Sequence, residues 1–443
     1  MATPRVLIIS KTAVPNTPTS IIFGGGVRVW SLAQGLIQNG ITTHIAVPSS
    51  TGCVEDQVVR PYGDFEGLIS LASSYDFVIS NIAIDESMEI FERLPKQVIR
   101  IADAFIPVHL ELSASTTGRA IEFEEMKYKW GTDTYISNLA ASDLSIVASD
   151  IQRHYLVGLL SGSRILTPKT YDSIRIVIAP IGVDSSTPVA TEPKKERVIL
   201  WWGGFYPWYD FERLHEFANA LYINEPKTTF RIVGAMNPFT SGELFESVPR
   251  AVLAKLTSLP NVESWDWLPY SKREEAFEGV TAVLILNDQG FENEFSWRTR
   301  LVDPLGFGVP ILTNGGDPFG ERLIAGGGAF RVPAEPIEIA NWISKELDSA
   351  LESDARTAML SLREEHSWRL SVEALAELLR ENDLAEVIVS RSNKTMLQAD
   401  GNQFRSRRGR IQQAREYFKS QGVLRTAVKI LAFARKRLLP PQD

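Results

Sequence analysis

Cysteine is almost missing from this chain. Cys53 is the single one in 443 residues, which excludes an intrachain disulfide framework and a cysteine-based zinc site. Histidine is scarce as well: His44, His109, His154, His215 and His366 are scattered without metal-ligand spacing. No loop of paired aspartates ends a strand, so no metal is expected. No apolar run reaches the length of a transmembrane helix. The opening MATPRVLIIS leads straight into a strand-like run, so a signal peptide is not expected and the expected location is cytoplasmic. The net charge of −8 is unevenly spread. Residues 388–443 hold thirteen Lys and Arg against three Asp and Glu, leaving 33 basic against 51 acidic in the rest. An acidic body argues against general nucleic-acid binding by the main domains. A basic tail on that body argues for a partner of its own.

What is present is an ordinary globular composition, 44% hydrophobic and 23% charged, in a chain too long for one core. Short β-rich runs alternate with helical patterns throughout. They stand at residues 5–10, 43–47, 76–82, 97–103, 145–149 and 175–180, then at 197–202, 229–233, 261–267, 281–287, 310–313 and 329–332. Such alternation predicts α/β domains with parallel sheets. Residues 184–196 lack apolar periodicity and hold two prolines, which marks a boundary. The expected organisation is an α/β half over 1–185, a second over 186–386 with a helix over 371–384, and a basic linker and helix over 387–443. In that last part Tyr417, Leu424, Val428 and Phe433 are interleaved with Arg415, Lys419, Arg425 and Lys429. A basic amphipathic helix suits an anionic membrane surface at the inner face. Docking on the acidic body or on a protein partner is the competing expectation.

Each half carries glycines after its first strand run. Gly24, Gly25 and Gly26 open a helical pattern that continues through Arg28, Leu32 and Leu36. A dinucleotide fingerprint fits them poorly, because the spacing is not GxGxxG and the second strand run ends without an acid. A turn, or a loop facing an acceptor or a phosphate, remains. Asp103 ends a strand run and is followed by His109 and Glu111, where ligands of open α/β sheets bind. A lone histidine is most often a satisfied structural residue. In the second half Gly203 and Gly204 follow WW, and Asp210 stands near a helix start, where capping is the plain reading. Trp201, Trp202, Trp208 and Trp297 can stack on a base or a sugar, or fill the core.

The richest stretch is GFENEFSWRTRLVDPLGFGVPILTNGGD, residues 290–317. A helix capped by Ser296 is expected, with Arg298, Thr299 and Arg300 in its first turn, although Pro304 counts against a long one. A helix start with two guanidinium groups suits a phosphate, and Asp303 suits ribose hydroxyls. The plain alternative is a surface helix with solvated arginines.

Taken together, GGGVR at 24–28, IGVD at 181–184, WWGG at 201–204 and the segment 294–316 resemble retaining glycosyltransferases of family 4, with the GT-B fold. Within that family the chain is similar to bacterial polysaccharide enzymes in which SxRTRxxD replaces the commoner pair of glutamates eight positions apart. Here Asp303 takes the second position, Phe295 stands eight back, and Glu294 is one place out of register. The resemblance implies two Rossmann-like domains facing a cleft, with an acceptor-side first domain lined by Gly24, Gly25, Gly26, Arg28 and Asp103. It implies a nucleotide-diphosphate sugar donor, no other cofactor, and a glycan or lipid-linked acceptor. Glu294, His109 and Arg298 are then the expected catalytic residues. Gly203, Gly204, Asp210, Arg298, Thr299, Arg300 and Asp303 are the expected donor-binding ones. The loop after WW has no basic residue before Arg213 where many relatives carry an Arg and a Lys, so Arg298 and Arg300 are expected to hold the diphosphate. A non-catalytic nucleotide- or glycan-binding protein and a nucleotide-sugar epimerase are the alternatives.

Overall fold

In the computed structural model of the chain, residues 3–381 are described, apart from 17–20, 84–85, 115–120, 192–195, 206–208, 210, 237–242 and 353. Asp210, Trp208 and the basic tail therefore lie outside the described residues. Strand β1 (Arg5–Ile9) shows why the first half folds as it does. Its side chains alternate between faces: Val6 and Ile8 enter one core, Leu7 and Ile9 the other. A strand buried on both faces belongs to a parallel sheet covered by helices on each side. The remaining strands are β2 (Thr42–Pro48), β3 (Val59–Tyr62), β4 (Phe77–Asn81), β5 (Ile99–Asp103), β6 (Leu144–Val147) and β7 (Ile176–Ile178). They form one parallel sheet in the order β3-β2-β1-β4-β5-β6-β7.

The second half repeats the plan with β8 (Val198–Trp202), β9 (Thr229–Val233), β10 (Val262–Trp265), β11 (Ala282–Ile285), β12 (Ile311–Thr313) and β13 (Ala329–Arg331). Their order is β10-β9-β8-β11-β12-β13, again parallel. The two-domain α/β expectation is met, and twelve of the thirteen strands lie on expected runs. The exception is β3, whose Pro61 disguises it. A proline cannot donate to the ladder, and β3 stands at the sheet edge, where that is tolerated.

An apolar cluster joins the halves. It runs from Phe105, Ala148, Ile181 and Val183 of the first to Leu200, Trp297, Leu305 and Phe319 of the second. The chain then crosses back. Val183 N donates to His366 O at 2.8 Å and Trp368 N to Val183 O at 3.0 Å. The helix Glu373–Arg380 places Leu375, Ala376 and Leu379 in the core of the first sheet. Gly35, on the helix Gly24–Gln38, makes that return possible: a Cβ there would sit 2.3 Å from Trp368 O. No described helix is long and apolar enough to cross a membrane.

Candidate functional site

The carboxyl ends of both sheets open on one cleft, the place where ligands of such sheets bind. The space between its walls, counted together with open solvent, is about 800 Å3. On the second-half wall, β8 ends in Trp202 and is followed by Gly203 at φ 99 and Gly204. Gly203 is in the left-handed region, which side chains avoid, and Arg300 lies across it. Arg300 donates to Gly204 O and stands 5.4 Å above the Trp201 ring, which is core. Asp303 accepts from Trp202 Nε1 at 3.1 Å and pairs with Arg273 Nε at 3.3 Å. Trp267 and Leu268 form an apolar end beside Gly234. The first-half wall is Ile22, Gly24 and Val27. The walls nearly touch there: a Cβ on Gly24 would be 3.0 Å from Thr299 Oγ1, and the Phe23 and Trp267 ring centres are 5.7 Å apart. The cleft thus combines apolar surface from Trp267 and Leu268, one carboxylate from Asp303 and the guanidinium groups of Arg273 and Arg300.

The structure brings together Gly24, Gly203, Gly204, Thr299, Arg300 and Asp303, and separates other expected site residues from them. Arg298 is the main correction. No helix starts at Ser296; a short helix Phe291–Phe295 ends there, a 3-10 turn spans Thr299–Leu301, and the next helix is Val302–Phe307. Pro304 explains the break. A helix running on from Ser296 would drive its ring into the carbonyl of Arg300, whereas at the third helical position its missing N–H costs nothing. Arg298 is instead buried. Its Nη1 and Nη2 donate to Glu292 Oε1 and Oε2 at 2.9 and 2.6 Å, and Nη2 also donates to Asn293 Oδ1 at 2.9 Å. Ser296 Oγ donates to Glu292 at 2.7 Å rather than capping a helix.

Glu294 is exposed, so Glu292 is the inward carboxylate of this loop. Phe295 points at Tyr155 of the first half, with ring centres 5.0 Å apart, while Gln152 Nε2 donates to Phe295 O at 2.8 Å. Position 295 therefore ties the halves together. Arg28 and Asp103 are corrected too. They form a bidentate pair at 3.0 and 3.1 Å with side-chain exposures of 1% and 3%, sealed away from the cleft. Among the three first-half glycines only Gly24 lines the cleft; Gly26 packs on Ala13 O, and Gly25 has nothing within 4 Å of a Cβ position.

His109 and Glu111 sit on the helix Val108–Ala114, which packs against the helix Phe291–Phe295 across the halves. Burial lowers His109 to about 4, so it is neutral at pH 7, held between the rings of Tyr135 and Tyr155. Its Nδ1 is buried without a partner. Glu111 is raised to about 7, mainly by burial and then by Glu292, against the pull of Arg298. Asp317 caps the helix Pro318–Ala325 and is raised to about 6 by burial. Two site residues carry no signal in the sequence, Arg273 and Trp267, and Glu292, further out of register than Glu294, is the glutamate that turns inward. SKREEAF reads as a solvated helix start, and nothing in it marks Arg273. Among the described residues no group of His, Cys, Asp or Glu is placed to hold a metal ion.

No protein-family model matches the chain, and no curated protein does. Solved structures do match. Sucrose-phosphate synthase from Thermosynechococcus elongatus is 14% identical with a TM-score of 0.57, over 85% of this chain and 98% of that one. WaaG, a glycosyltransferase involved in lipopolysaccharide biosynthesis, is 12% identical with a TM-score of 0.55, over 85% and 100%. HepE from Anabaena, solved with UDP and glucose, is 14% identical with a TM-score of 0.50, over 85% and 99%. At these identities the likeness establishes the fold, which is GT-B.

Proposed function

We propose that the protein is a hexosyltransferase that moves a sugar from a nucleoside-diphosphate donor to a glycan or lipid-linked saccharide, with retention and without a metal. The observation that carries this reading is the cleft of a GT-B fold whose one wall holds Trp267, Asp303 and Arg300 together. A base suits the apolar end, ribose hydroxyls suit the carboxylate, and the diphosphate suits the guanidinium. Gly24 lets the opposite wall approach the ligand closely.

In this reaction the bond from the anomeric carbon to the diphosphate oxygen breaks and a bond to the acceptor oxygen forms. Negative charge grows on the departing diphosphate, where a fixed guanidinium stabilises it without reorganising. The acceptor proton leaves as the new bond forms; with retention, the departing oxygen lies on the same face to take it. Retention follows from the family resemblance. Polysaccharide biosynthesis and attachment to an anionic inner membrane face through residues 388–443 belong to the same proposal.

The test is a panel of nucleoside diphosphates scored by melting temperature, since a ligand bound only by the native state raises it. Transfer from the matching nucleotide sugar to saccharide acceptors follows. Turnover of the nucleotide sugar without acceptor identifies an epimerase, and binding without turnover a non-catalytic module.

A further inference from the structure

Resting on that reading, we infer that Arg273 is a second diphosphate-holding residue, supplying from another loop the cation that the loop after β8 lacks. Arg273 opens the helix Arg273–Phe277 and lines the cleft beside Asp303. Its guanidinium is fixed on two sides. Nε pairs with Asp303 at 3.3 Å, and the Tyr270 ring lies 3.6 Å beneath it. Nη1 is buried and has no hydrogen-bond partner. An unpaired buried donor on a cation costs more than an ordinary one and calls for an acceptor. The acceptor that best repays it is an anionic oxygen, for which an arginine fork is well shaped.

The charge around it favours the same class. Among the described residues lining this wall, Arg273 and Arg300 stand with one carboxylate, Asp303. Arg298 contributes no charge there, because Glu292 neutralises it in the interior. Holding Arg273 by Nε on Asp303 and by its face on Tyr270 orders its side chain before a ligand arrives, so little entropy is lost on binding. Asp303, held from the other side by Trp202, sets the position of the fork.

Titration calorimetry on the full chain and on R273M and R273K tests this, with UDP, uridine and inorganic pyrophosphate as probes. R273M should weaken UDP and pyrophosphate at least tenfold while changing uridine less than twofold, and R273K should fall between. Unchanged UDP affinity in R273M, or equal losses for UDP and uridine, overturns the assignment; the second result would make Arg273 a ribose-side or structural group. If R273M does not fold, R273K decides by the same comparison, with unchanged UDP and pyrophosphate affinity overturning the assignment. If none of UDP, GDP, ADP, CDP or dTDP binds the wild type, the nucleotide reading fails, and Arg273 is judged on pyrophosphate alone: a tenfold loss supports it, and no loss or no binding overturns it.

Discussion

Two arginine–aspartate pairs stand in the two halves, and they do opposite things. Arg28 and Asp103 meet through two hydrogen bonds, at 1% and 3% side-chain exposure, with the Phe105 ring 5.1 Å from the guanidinium. Arg28 also donates to Ala179 O. Arg273 and Asp303 meet through one contact of 3.3 Å, at 15% and 20% exposure, on the cleft wall. The first pair is shut off from any ligand by burial, and breaking it would leave a bare charge in the interior. The second is half-satisfied and reachable. Residue type and position at a strand end do not separate the two cases; burial does.

The comparison breaks first at its sealed pair. Asp103→Ala should cost about 3–5 kcal/mol, the usual penalty for stranding one partner of a buried pair, read as a shift in urea midpoint. Arg298→Ala should behave the same way, since Glu292 would be stranded. Losses below about 1 kcal/mol in either would put that arginine back among the candidates for ligand contact.

Next in size is Arg300→Ala. It should weaken the best-binding nucleoside diphosphate by more than about tenfold, from roughly 1.5–3 kcal/mol for a charge-assisted hydrogen bond. Its melting temperature should stay close to that of the wild type, because the side chain is only half-buried. A lower melting temperature with unchanged calorimetric affinity would make it a second sealed arginine.

A smaller effect belongs to the helix Val108–Ala114 of the first half, which packs on Phe291–Phe295. Glu111 is raised from 4.5 to about 7, so the stability it contributes is fully present below about 4.5 and lost as pH rises through 7. His109 runs the other way: lowered from 6.5 to about 4, its contribution is present above 6.5 and lost as pH falls through 4. Glu111→Gln should therefore gain on the wild type between pH 5 and pH 8 in denaturant titrations. A difference that does not change over that range would show that Glu111 titrates normally. Asp317 is raised in both proteins and cancels in the comparison.

The smallest effect is expected at Glu294, whose exposed side chain should tolerate glutamine within about 0.5 kcal/mol. Glu292→Gln should cost far more, by removing the charge that holds Arg298. Equal effects in paired stability measurements would erase the distinction between the inward and the outward glutamate.

The sequence by itself determined the architecture. Strand runs such as RVLII and VILWW are apolar on both faces, and such a run has one stable home, a parallel sheet between helix layers. It also determined that Gly24, Gly203, Gly204, Thr299, Arg300 and Asp303 are candidates, because glycines and charges at strand ends are local signals. Only the tertiary structure decided which charges are spent. Arg298 and Arg300 are two residues apart in one motif, yet one meets Glu292 in the interior and the other lies over Gly203 in the cleft. Arg28 finds Asp103 75 residues away. Arg273 reaches the site through Asp303, thirty positions downstream. Pairing of charges is set by three-dimensional distance and desolvation, neither of which has a period along the chain.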